Sequence, residues 1–86
     1  MGLLGNMLAK STKKAMMRYY TVLNFENPGM SEDWYIKKSL SLRFKRWSES
    51  DIIAFTTDCL TMDQLSEKII LYESSGLVTK YTFDRL

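Results

Sequence analysis

Tyr35, Lys37, Arg43, Lys45 and Trp47 recur at even spacings within one fourteen-residue stretch, Trp34 to Trp47. Aromatic rings interleaved with cations are the combination that single-stranded nucleic acids meet on proteins. Bases stack on the rings, at about 1–3 kcal/mol each, and Lys or Arg neutralises phosphates. Ser39 and Ser41 lie between them and offer hydroxyl donors. Lys10, Lys13, Lys14 and Arg18 precede this stretch and extend the basic surface if their segment lies alongside it. These nine cationic and aromatic residues form the candidate nucleic-acid-binding set. The same pattern also fits an ordinary solvated face, since Lys and Arg are common wherever a small domain meets water.

Other chemistries find little support. The chain has no histidine, the residue most used as a general base near neutral pH and the commonest metal ligand. Its one cysteine, Cys59, cannot form a zinc site or an internal disulfide, and as a nucleophile it would lack an imidazole base. Cys59 therefore reads as a small buried hydrophobe, and the absence of paired cysteines suits a reducing cytoplasm. No Gly-rich loop marks a phosphate or dinucleotide site. Asp58 and Asp63 flank a helix start and read as caps and solvated charges. The expectation is a non-catalytic protein without cofactor or metal.

Eighty-six residues at 45% apolar and 26% charged make one globular domain with a thin core. No apolar run is long enough for a membrane span. The opening Met1-Gly-Leu-Leu-Gly-Asn6 has no small-residue cleavage site, and Asn6 stands where a myristoylation signal requires Ser or Thr. The net charge of +2 is unevenly spread. Residues 1–47 carry nine Lys/Arg against three Asp/Glu, whereas residues 48–86 carry three against seven. That division implies a basic side and an acidic side, which either neutralise one another across the fold or do so between copies.

The elements that would position the candidate set follow from periodicity. Leu3, Leu4, Met7, Leu8, Ser11 and Ala15 recur at helical spacing and predict an amphipathic helix over residues 3–16, and the internal Met16-Met17 marks residues 1–16 as a candidate helical appendage to the single domain 1–86. The β-branched and aromatic run Arg18–Glu26 predicts a strand, and Asn27-Pro28-Gly29 a turn. Trp34–Trp47 then predicts a long strand paired to it as a hairpin, with Trp34, Ile36, Leu40, Leu42 and Phe44 facing the core and the candidate residues facing water. Lys38 falls on the apolar face and predicts a bulge there. Ile52–Thr57 predicts a short strand, with a helix starting at Ser48 or Ser50 as the alternative. Thr61–Gly76 predicts a helix with a Thr61/Gln64 capping box and a Gly76 C-cap, and Leu77–Asp84 a last strand. The fold class expected is α+β in the order α-β-β-β-α-β, an antiparallel sheet of about four strands with two helices on one face.

Over residues 3–75 this order resembles that of the double-stranded-RNA-binding domain. The second helix of that family opens with lysines that grip phosphate. Here the matching turn, Met62-Asp-Gln-Leu-Ser-Glu-Lys68, is acidic, and a further strand follows, so the resemblance is one of element order.

The leading function expected is binding of RNA or single-stranded nucleic acid by the basic strand face. The alternative is a protein-binding inhibitor or adaptor. Two Trp, five Tyr and six Met are an interface-rich complement, and an open strand edge would serve a homodimer or a protein target. In size and style the chain is similar to accessory proteins of phages and mobile elements, which implies action on a host enzyme or defence complex.

Overall fold

A computed structural model describes the backbone of residues 2–77 and the side chains of residues 11–77. The described residues are all-helical: α1 (Gly2–Glu26), α2 (Glu32–Arg43), α3 (Glu49–Thr56) and α4 (Met62–Ser74). The expected four-stranded sheet is not formed among them, and the α+β assignment is corrected to all-α. The likeness in element order to the double-stranded-RNA-binding domain falls with it. The predicted last strand lies outside the described residues from Val78 onward.

Each misassigned segment has a local reason. The Arg18–Glu26 run continues α1 instead of forming a strand, because the side chains it buries follow a helical period. Thr12, Met16 and Leu23 are buried and Tyr19 is half-buried, at spacings of four, three and four. Strand propensity spans only about 1 kcal/mol and yields to such packing. In Trp34–Trp47 the residues assigned to the apolar strand face, Ile36, Leu40 and Phe44, are spaced by four, so they satisfy both periods. The helix wins by adding Tyr35 and Ser39 to the buried side and by turning Lys38 outward, so no bulge is needed. The caps support it. Ser31 Oγ accepts from the Trp34 backbone N–H, Glu32 and Asp33 occupy the first turn, and Arg43 the last.

The predicted strand at Ile52–Thr57 is α3, the alternative helix. Ser48 and Asp51 form a full capping box at its start. The last helix agrees with expectation, including the Thr61/Gln64 capping box. At its end Gly76 takes φ +79°, and the amides of Gly76 and Leu77 donate to the carbonyls of Glu73 and Tyr72. That is a Schellman closure, which favours glycine at this position. The expected turn at Asn27–Gly29 is present, with Gly29 at φ +85°, but it joins two helices rather than two strands.

α1 packs on α2 and α4, and α2 also touches α3 and α4. The core is Met16, Ile36, Leu40, Phe44, Ile52, Cys59, Leu65 and Ile69. Beside it the rings of Phe44, Trp47, Phe55 and Tyr72 run in series, the first pair stacked at 4.2 Å and the others edge-on at 5.2 and 5.1 Å. Cys59 is buried as expected, and burial, reinforced by the Asp58 carboxylate, pushes its thiol pKa up.

The polar interior has one strong node. The Glu73 carboxylate, its side chain only 4% exposed, accepts from Thr12 Oγ1 of α1 at 2.5 Å and from Arg43 Nη2 of α2 at 3.0 Å. It thereby ties α4 to both neighbours. By contrast, Ser39 Oγ is buried without a hydrogen-bond partner. An unpaired buried hydroxyl costs about 1–3 kcal/mol, so Ser39→Ala is expected to raise stability by roughly 1 kcal/mol. Urea unfolding measures it, and a lowered midpoint at unchanged slope would contradict the assignment.

α3 is fastened at its C-terminus from outside. Lys68 Nζ donates to the Phe55 carbonyl and to Asp58 Oδ1, both at 2.7 Å, and sits 4.5 Å from the centre of the Phe55 ring. The hydrogen bond from Lys68 holds the Asp58 carboxyl below the ordinary carboxylate range. A carboxyl that binds its proton less tightly folded than unfolded adds stability above the ordinary aspartate value of about 3.9, and that stability is lost as pH falls through and below it. Asp58→Asn is therefore expected to flatten the fall of Tm with pH below about 4. Parallel Tm–pH curves for the two proteins would contradict this.

Candidate nucleic-acid interface

The helical period redistributes the candidate residues. Tyr35 is buried: its hydroxyl donates to the Asn27 carbonyl and accepts from the Met30 N–H at 3.3 Å, bracing the α1–α2 turn. Arg43 is committed to Glu73. Lys37 is half-buried and pairs with Asp33 one turn earlier at 2.5 Å. Trp47 is half-buried on Phe44, and Lys45 is exposed. Ser39 is inside and Ser41 outside. The continuous strand face of Tyr35, Lys37, Arg43, Lys45 and Trp47 is therefore replaced by two groups, one interior and one exterior.

The exterior group gains members that the period of two had assigned to the core. Trp34, Lys38, Ser41 and Lys45 recur at four, three and four and mark the outer side of α2 and the turn after it. With Lys37, Trp47, Ile52 and Ile53 most of them line an open groove of about 620 Å³ between α2 and α3. Lys38 Nζ lies 5.8 Å from the centre of the Trp34 ring, within cation–π range. Asp33 and Glu49 also line the groove and offset its two lysines. The positive excess comes from Lys45 and Arg46, both exposed in the turn that leads to Trp47. The signal that would have found Trp34 and Lys38 was available: a cation in the middle of an otherwise apolar alternation fits a helix better than a strand.

Among the described side chains, the α1 cations Lys13, Lys14 and Arg18 do not line this groove. Lys13 lines a separate cleft of about 230 Å³ with Met17, Tyr20, Glu32 and Asp63, and Lys14 and Arg18 are exposed on α1. Lys10 lies in α1, outside the described side chains. In that cleft Glu32 accepts from the Met62 backbone N–H at 3.1 Å and its charge raises the Tyr20 pKa. Among the described residues no group of His, Cys, Asp and Glu is arranged to hold a metal ion, and no helix is long and apolar enough to cross a membrane.

No known protein family, curated protein or solved structure matches this chain. The groove's chemistry is thus the basis for a functional reading. Its walls offer two indole surfaces, the only tryptophans in the chain, together with the ammonium groups of Lys37 and Lys38. Trp47 contributes one more feature. Its Nε1 donor is buried without a hydrogen-bond partner, while its ring stacks on Phe44. Trp47→Phe removes the unpaired donor and keeps the stack, so it should cost little stability, within about 1 kcal/mol. Trp47→Ala, which empties the stack, should cost about 3 kcal/mol. Equal losses in thermal unfolding would contradict this division between ring and donor.

Proposed function

We propose that the protein is a non-catalytic nucleic-acid-binding module that takes RNA or single-stranded DNA along the outer side of α2. The observation that carries this reading is the placement of Trp34 and Trp47 on one groove with Lys37 and Lys38, with Lys45 and Arg46 exposed in the turn just before Trp47. Unpaired bases stack on the indoles without regard to sequence, and the lysines follow the phosphates. The few cations involved predict a shallow dependence of affinity on salt and a weak preference among sequences. A duplex, whose bases are already stacked, gains nothing from the indoles and should bind less well.

The test is fluorescence anisotropy of labelled RNA, single-stranded DNA and duplex oligomers at two salt concentrations. Lys38→Glu with Lys45→Glu should weaken binding at least about tenfold, since two phosphate contacts become repulsions. Trp34→Ala should lose about 1–3 kcal/mol of affinity at every salt concentration. Lys38 and Lys45 are exposed and Trp34 is half-buried at the first turn of α2, outside the hydrophobic core, so the fold should survive. Flat titrations for every oligomer at low salt would overturn the reading. The result would then favour the second reading, an interaction protein acting on a protein target, for which the exposed Phe25 and Leu60, 87% and 75% accessible, are the supporting observation.

A further inference from the structure

α1 and α4 run antiparallel. Thr12 meets Glu73 at one end of the pair, while Met17 and Tyr20 share a cleft with Met62 and Asp63 at the other. Their buried sides, carrying Met16 and Leu23 on α1 and Leu65 and Ile69 on α4, face the core. Their outer sides differ in charge. α1 exposes Lys14, Met17 and Arg18, and α4 exposes Asp63, Glu67 and Leu71. Met17 and Asp63 line one cleft together with Lys13 and Ser66, so each stripe has one member at a common opening between the two helices.

We infer that this face is a self-association surface whose partner is a second copy of the same chain. A two-fold axis parallel to the helices sets α1 of one copy antiparallel to α4 of the other, and α4 to α1 in return. Lys14 and Arg18 are one helical turn apart, as are Asp63 and Glu67, so the antiparallel crossing aligns Lys14 with Glu67 and Arg18 with Asp63. The symmetry repeats both pairs, giving a closed isologous contact. Met17 and Leu71, 63% and 62% accessible, supply apolar area within the same stripes. These four side chains, cations from the basic half of the sequence and carboxylates from the acidic half, are thereby neutralised between copies. This surface is separate from the α2–α3 groove and does not depend on what that groove binds.

Sedimentation equilibrium on the full chain without nucleic acid tests it. The expected result is a monomer–dimer equilibrium that weakens with salt. Lys14→Glu with Arg18→Glu, and separately Asp63→Lys with Glu67→Lys, should each weaken dimerisation at least about tenfold. An equimolar mixture of the two variants should recover a dimer, because the reversed stripes are again complementary. All four side chains are exposed, and circular dichroism confirms that each variant keeps its helix content. Lys38→Glu with Lys45→Glu should leave the dimer unchanged, which separates this result from failure of the groove to bind nucleic acid. A monomer at every concentration, a dimer indifferent to both reversals, or open-ended polymers would each overturn the proposal.

Discussion

Phe44→Ala is expected to remove about 3–5 kcal/mol of stability. Phe44 is fully buried at the end of α2, where its backbone N–H closes the helix on the Leu40 carbonyl and its ring carries Trp47 at 4.2 Å. Removing it opens a cavity at the junction of α2 and α3 and unseats the first of the serial rings. A domain of this length is stable by only about 4–13 kcal/mol, so the loss is a large share of the total. Thermal melting should fall by at least about 15 °C. Phe44→Leu, which keeps most of the volume, should cost about 1.5 kcal/mol or less. A Phe44→Ala protein melting within a few degrees of the parent would show that the ring series does not hold α2 to α3.

Glu73→Ala is the second large effect, about 3 kcal/mol or more. The carboxylate is nearly inaccessible and takes hydrogen bonds from α1 and α2 together, so its loss breaks the Thr12 hydrogen bond and the Arg43 ion pair at once. Burying an ion pair is not by itself a gain, because desolvation of both charges opposes their attraction. Breaking it from one side is what costs most. The double replacement Arg43→Met with Glu73→Met should therefore be less destabilising than Glu73→Ala alone. Chemical unfolding of the single and double variants measures this. If the double variant were the weaker, the node would be a net source of stability rather than a device that fixes how three helices meet.

How much of this was legible in the sequence depends on the element. α4 was readable because its signals agree: Thr61 and Gln64 for the start, Leu65 and Ile69 for the buried side, Gly76 for the end. α3 was half readable, since Ser48 and Asp51 announce a cap while the β-branched Ile52, Ile53, Thr56 and Thr57 point to a strand. In a helix Thr56 and Thr57 return their hydroxyls to the carbonyls of Ile52 and Ile53, which removes that objection. α2 was the least legible. Ile36, Leu40 and Phe44 fit either period, and Trp34 and Leu42 completed a false alternation. Ser31-Glu32-Asp33 and the misplaced Lys38 were the local signs of a helix.

The candidate site was legible by residue type and not by geometry. Lys37 and Trp47 line the groove and Lys45 is exposed two residues before Trp47, whereas Tyr35 and Arg43 are parts of the framework. Those two stand at alternate positions that only a strand would turn outward. Trp34 and Lys38 replaced them for the same reason in reverse. The division of charge between the halves of the chain was legible without any structure: among the described residues the first half's cations lie on α1 and on α2 with the turn after it, and the second half's carboxylates on α3, the turn after it and α4.

The most direct test of the groove is tryptophan emission during titration with an unlabelled single-stranded oligomer. Both tryptophans of the chain line the groove, so the signal comes from the proposed site. The account predicts saturable quenching that weakens with salt and is lost in Lys38→Glu with Lys45→Glu. Emission that stays unchanged at low salt, at protein and oligomer concentrations well above micromolar, would contradict it.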